Sequence, residues 1–330
     1  MAVLSTTALT IADHAKRLDP DGKIPMIVEM LAETNEILDD MLFIEGNLPT
    51  GHRTTVRTGL PTAYWRLLNA GVQPSKSSTA QIDEQAGLLE AWSEVDPEVA
   101  NLNGNVNAFR LSEASAFIEA MSQEMSSTTF YGNSSAAPEE FTGLAVRYSD
   151  LSAANAQNII DAGGTGSDNT SIWLIVWGEQ SVCGIFPKGS KAGLEHNDLG
   201  EQTVTKADGS KMRALQDQFK WKCGIALKDW RYAVRIPNID VSNLVAKSSA
   251  ADLTELMIKA MHRIPNLNRG KAVFYMNRSV IQMLDIQRRD VMTASASLSY
   301  NEVDGKLIPH FRQVPVKTCD TILETEERVI

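Results

Sequence analysis

Apolar positions change their spacing several times along the chain, and each change predicts an element. Ile27, Met30, Leu31, Ile37, Leu38 and Met41 share one face of a helix over Met26–Met41, and Pro25 suits its first turn. This stripe is expected to dock on the chain's own body, with a neighbouring molecule as the alternative. After Gly46 come two β-prone runs, Arg53–Thr58 and Tyr64–Leu68, then the breaker-rich stretch Asn69–Ser78, then a third run, Thr79–Asp83. Together they read as a long hairpin whose tip is NAGVQPSKSS. From Leu111 the period becomes helical: Ala114, Phe117, Ile118, Met121 and Met125 predict a helix over Ser112–Phe130, with Ser112 as N-cap and Gly132-Asn133 as its end.

Ile172–Trp177 (IWLIVW) is continuously apolar, β-branched and aromatic, the composition of a strand buried on both faces. Gly178, Gly184 and Gly189 are expected to break the chain beyond Trp177 into short strands and loops. The polar stretch Glu195–Lys211 carries the hairpin signal Asp208-Gly209, and Phe219–Ile236 alternates on both sides of Lys228-Asp229 as two long strands would. Helices are predicted over Ala251–Ile264 and Val280–Arg289, and strands over Ala272–Met276, Val314–Lys317 and Thr321–Leu323, with a turn at Asp304-Gly305-Lys306. Helices and strands do not alternate regularly, so the expected class is α+β and not a doubly wound parallel sheet.

Charge sharpens the picture of the hairpin. Residues 46–82 carry Arg53, Arg57, Arg66 and Lys76 with no acid, whereas 83–98 carry Asp83, Glu84, Glu90, Glu94, Asp96 and Glu98 with no base. The two halves can neutralise each other across a ladder or meet opposite charge on another molecule, and they are the candidate contact residues of an arm. The segment has too few large apolar residues to bury a core of its own.

Composition narrows the function classes. With 43% hydrophobic and 22% charged residues the chain is an ordinary globular one, and 330 residues suggest more than one packed unit. A formal charge of −10 argues against tight, sequence-independent binding to duplex nucleic acid. The start, MAVLSTTALTIADHAKRLDP, lacks the features of a secretory signal, and no apolar run is long enough to cross a membrane, so folding in a cytoplasm is expected. Cys183, Cys223 and Cys319 are too far apart for a C-x-x-C site and read as plain buried or half-buried thiols.

Candidate chemistry is sparse. Gly163-Gly164-Thr165-Gly166 lacks the following Lys-Ser or Lys-Thr of a phosphate loop and leads into a strand, so a surface loop is expected. His14, His52, His196, His262 and His310 are scattered without ligand spacing, and Glu195-His196-Asn197-Asp198 is expected to be a solvated loop. No G-x-S-x-G elbow is present. No catalytic, cofactor or metal residue is assigned. The six tryptophans are expected in core or inter-subunit packing.

Four blocks in order carry a family resemblance: EGNLPTGHRTTVRTGLPTAYWRLLNAGVQPSKSSTAQIDE, the helical region from RLSEASAFIEAM to FYGN, KWKCGIALKDWRYAVRI, and FYMNRSVIQMLD with QVPVKTCDTIL. They span most of the chain and resemble the major capsid proteins of tailed bacteriophages, the Hong Kong 97-type capsid fold, in particular short-tailed phages of the epsilon fifteen and Bordetella kind. The resemblance implies an N-terminal arm (1–45), an extended hairpin loop (46–100), a peripheral domain with a spine helix (101–150), axial-domain strands and loops (151–218), peripheral-domain strands (219–250) and an axial domain (251–330), with a rearranged strand order. It implies a homo-oligomeric shell of pentamers and hexamers around phage double-stranded DNA, assembled in the bacterial host cytoplasm, with decoration, scaffold and portal proteins as further partners and no membrane. Two alternatives stay open: an encapsulin-like nanocompartment shell enclosing a cargo enzyme, and a soluble enzyme whose site assembles only in space.

Overall fold

The computed structural model describes residues 33–102, 105–206, 209–248, 250–290, 298–303 and 306–330. Residues 26–32 of the predicted helix Met26–Met41 lie outside them, and residues 33–36 are not helical. Its described end is a short helix, Ile37–Asp40, preceded by an isolated bridge from Asn35 to Cys319. Ile37 and Met41 are buried in the main core, so this end docks on its own chain.

Thirteen strands are described: β1 (Phe43–Glu45), β2 (Gly51–Gly59), β3 (Ser78–Gln85), β4 (Gly87–Val95), β5 (Asn169–Trp177), β6 (Val182–Phe186), β7 (Leu194–Thr205), β8 (Lys211–Leu227), β9 (Ala233–Asp240), β10 (Lys271–Met276), β11 (Leu298–Val303), β12 (Lys306–Phe311) and β13 (Val314–Thr318). Eleven of them form one mixed sheet, while β2 and β3 pair only with each other. Every residue of β5 is buried, as its unbroken apolar run predicts, and β9 and β10 pair with it antiparallel. β10 continues through β13 and β12 to β11, and β6 carries the sheet the other way to β8.

β8 is the joint of the molecule. Its residues 211–223 lie in antiparallel register with β7 and β4, and residues 224–227 pair with β6. The alternating region Phe219–Ile236 therefore is two strands, but they pair with different partners instead of with each other. Glu195–Asp198 lies in β7, not in a solvated loop, because β8 supplies a full-length partner for its backbone amides. The turn between β7 and β8 has Gly209 at φ +82°, and Asp208 lies outside the described residues.

The long helix spans Val106–Tyr131, six residues earlier than predicted, because Asn105 rather than Ser112 caps it by accepting the Ala108 amide at 3.1 Å. At about 1.5 Å per residue its 26 residues reach about 39 Å. Gly132 ends it: a Cβ there would lie 2.4 Å from the Phe141 carbonyl and 2.6 Å from that of Thr128. Its last turns sink into the core, where Phe130 packs on Trp173 of β5 with ring centres 5.9 Å apart. Its middle lies on the β4–β8 side, with Phe117 stacked on Phe219 at 5.9 Å.

Two amphipathic helices, Leu253–Arg263 and Arg278–Asp290, cover the sheet with Leu253, Leu256, Met257, Ala260, Val280, Met283 and Leu284 turned inward. Asp252 caps the first through the Glu255 amide. Thr321–Leu323 is not a strand: the tail from Cys319 runs across the core as turns held by side chains. Glu326, 3% exposed, is paired with Arg235, 5% exposed, at 2.9 Å, and Tyr131 and Ser171 also bond its carboxylate. Arg235 in turn donates to the Tyr148 carbonyl at 2.8 Å. This cluster ties the end of the long helix, β5, β9 and the C-terminal tail together.

Candidate inter-subunit surface: the hairpin arm

The arm starts at a knot of close backbone contacts. A Cβ on Gly46 would lie 2.2 Å from the Gly51 carbonyl, and one on Gly51, at φ +157°, would lie 1.9 Å from that of Glu84. Asn47 clamps the strand by donating to the Arg53 carbonyl at 2.8 Å and accepting its amide at 2.7 Å. From there β2 and β3 run antiparallel from Gly51↔Gln85 to Gly59↔Ser78. Neither strand has a second neighbour.

Beyond Gly59 the chain has no regular structure until Ser78. Tyr64–Leu68 does not form the predicted strand, because among the described residues no partner strand lies beside it. Two hydrogen bonds hold the tip among the described residues, Ala70 N to the Leu67 carbonyl and Ser75 Oγ to that of Thr62. Leu60 is 81%, Trp65 102%, Leu67 80% and Leu68 90% exposed. Sequence periodicity missed this apolar tip, since the same letters serve a strand. The signal available was the absence of a partner run across the turn.

The candidate contact residues fall into four groups. Arg53 and Asp83 face each other in register and form a two-point ion pair at 2.6 Å, so part of the charge split is neutralised across the ladder. The hydrogen bond to Arg53 holds the Asp83 carboxyl below the usual range. Glu84 is buried at the root, where Arg147 grips both its oxygens at 2.6 Å and also donates to the Thr142 carbonyl at 3.0 Å. Nothing in the local sequence pointed to Arg147, which lies 63 residues away.

Glu90 and Glu94 belong to β4 in the body sheet and not to the arm. Glu90 accepts from Gln218, which lowers its pKa, and from Trp92 Nε1 at 2.6 Å, while Glu94 accepts from Gln216 at 2.8 Å. Arg57, Arg66 and Lys76 are exposed and have no carboxylate partner among the described residues. The arm thus ends in unmatched positive charge beside bare apolar surface.

Chemical candidates elsewhere are inert. All three thiols are buried, and burial pushes Cys183 up to about 11 and Cys223 and Cys319 up to about 12. Among the described residues no three His, Cys, Asp or Glu side chains cluster to hold a metal ion, and no helix is long and apolar enough to cross a membrane. The Gly163–Gly166 turn is a loop leading into β5, with Gly163 at φ +83°.

The arm is thus knotted to the body at its root, and beyond the root its two strands pair only with each other among the described residues. Residues 19–330 match the family described as Major capsid protein GP7. The chain belongs to that family. A capsid chain of bacteriophage Epsilon15 is similar over 100% of this chain and 99% of its own length, at 33% identity and a TM-score of 0.76. A bacteriophage JBD30 capsid chain (8% identity, 89% and 92% covered, TM-score 0.49) and one of a native GTA particle (9%, 72% and 99%, 0.48) also match. No curated protein sequence matches.

The fold is thus the Hong Kong 97-type capsid fold implied by the resemblance, and the protein is a structural component of a phage capsid, with other capsid subunits as its partners.

Proposed function

We propose that copies of this capsid subunit assemble into pentamers and hexamers and close an icosahedral shell around phage double-stranded DNA. The observation that carries the reading is the β2–β3 arm, whose strands among the described residues share no ladder with the main sheet and whose end carries exposed Trp65, Leu67 and Leu68. Such a surface is too apolar and too large to stand alone in water and gains most by being covered. The arm lies over a neighbouring copy, with Arg57, Arg66 and Lys76 helping to set register and Arg53 held in reserve by Asp83.

Two units are proposed within the subunit. The long helix with β4, β7 and residues 211–223 of β8 forms the peripheral unit, and β5, β6, β9, β10 and β13 with their two covering helices form the axial unit. Relative to the sequence-based boundaries this moves residues 194–218 from the axial to the peripheral side, because their ladder partners are β4 and β8, and residues 224–240 from the peripheral to the axial side, because theirs are β6 and β5. The negative net charge keeps the genome from adhering to the inner wall. Portal, scaffold and decoration proteins complete assembly in the host cytoplasm.

The family match favours a phage shell over a cargo-bearing compartment. Negative-stain microscopy of the purified protein tests the reading, with closed shells expected. Small species under every salt and concentration tried, and on co-expression with phage assembly factors, would sink it.

A further inference from the structure

The arm's unmatched charge has a counterpart elsewhere on the same chain. Between the C-terminal half of the long helix, the first residues of β4 and the loop 139–141 lies a cleft of about 290 Å³ with Leu88, Met125 and Phe141 in its wall. Glu124 and Glu139 stand exposed at its rim, and neither has a hydrogen bond or ion pair to its carboxylate among the described residues. Apolar floor and acidic rim mirror the tip, where Trp65 and Leu67 flank Arg66.

The chain's own tip does not reach this cleft. β3 separates residue 78 from Gly87 by its eight paired residues, about 26 Å at about 3.3 Å each, and the ladder with β2 keeps it straight. A larger groove of about 900 Å³ lies at the arm's root. Arg57, Arg147, Lys228 and Arg231 line it, and its acids, Glu84 and Asp229, are already bound by Arg147 and Arg231. That groove repels Arg66.

We infer that the tip of one copy's arm seats in the acidic cleft of a second copy, with Trp65 on its apolar floor and Arg66 against Glu124 and Glu139. The inference rests on the proposed contact of the arm with a neighbour and adds its address. A bulky aromatic in a pocket beside an arginine is the composition that dominates binding energy at protein interfaces, and the opposed charges fix which pocket is entered.

The test places the photoreactive amino acid p-benzoylphenylalanine at position 65 in assembled shells, with unmodified chain co-expressed so that shells form. Irradiation and mass spectrometry are expected to find inter-chain adducts on Leu88, Met125 or Phe141. Glu124→Lys with Glu139→Lys is expected to lower their yield about tenfold. Inter-chain adducts on a different surface, or a yield indifferent to the two charge reversals, would overturn the cleft and leave the arm–neighbour reading standing. Intact shells with no inter-chain adduct from position 65 would overturn both.

Discussion

Removing the Glu326 carboxylate leaves Arg235 charged in a site whose remaining acceptors, the Ala145 and Tyr148 carbonyls and the Ser171 hydroxyl, are neutral. Breaking a buried pair on one side costs about 3–5 kcal/mol, so Glu326→Ala is expected to lower the unfolding free energy of the isolated subunit by that amount, read as a lower denaturant midpoint with the slope unchanged. Arg147 and Glu84 follow the same logic at the root of the arm, where Glu84→Ala strands a guanidinium whose Nε is already without a partner among the described residues. The cysteines make a simpler prediction. With thiols held at about 11 to 12 by burial, none is expected to react with iodoacetamide at pH 8 in the folded subunit, and all three in denaturant.

Along single elements, the cap of the long helix is open to test. Gly132→Ala pushes a methyl into the Phe141 and Thr128 carbonyls, and overpacking of this kind costs about 1–3 kcal/mol, measurable by thermal unfolding. Near the helix's other end, Arg110 joins Asp198 at 2.6 Å to Asp217 at 2.7 Å. The hydrogen bond from Arg110 holds the Asp198 carboxyl below its usual range, so its stabilisation is present above the unfolded-state pKa, about 4, and is lost as pH falls through the lower folded value. Amide protection over residues 106–116, corrected for the intrinsic pH dependence of exchange, is expected to fall on acidification before that of β5, and Arg110→Ala to abolish the difference.

The same elements mark what was legible in the sequence. β5 declared itself because burial on both faces demands an unbroken apolar run, and Leu253–Arg263 because one buried face imposes a 3.6-residue period. The long helix was found but cut short, since its first turns carry few core contacts and its cap, Asn105, was indistinguishable from a loop asparagine. β7 was hidden for a related reason: a strand with one wet face and an exposed outer edge reads as polar loop. The arm's charges were visible, but which of them are satisfied at home was not, because Glu84 meets Arg147 only through the tertiary fold. Tyr64–Leu68 misled because β-propensity describes a surface that fits a neighbour and does not say whether one exists.

At the scale of the molecule, the arm beyond its root is expected to be dispensable for folding, because among the described residues β2 and β3 share no ladder with the main sheet and only the root, through Glu84 and Arg147, is tied to the body. Arg53→Glu, Arg57→Glu and Arg66→Glu together are therefore expected to leave circular dichroism and thermal unfolding of the subunit nearly unchanged while closed shells disappear from micrographs. Normal shells from that triple variant would show the charge split to be solvated decoration. Shells that fail together with a collapsed unfolding transition would instead place the arm in the folding core.

The glycine knot at Gly46 and Gly51 makes the arm a cantilever and not a tether. A two-stranded ladder about 30 Å long, fixed at one end, turns a tilt of about 5° at its root into a displacement of about 2.5 Å at its far end. That is about half the spacing between neighbouring strands. Under the proposed contact of the arm with a neighbour, where the tip lands measures how steeply two adjacent subunits incline, and a misinclined arrival is left with bare tryptophan in water. The stiffness of a few close-packed backbone atoms becomes a gauge of local curvature.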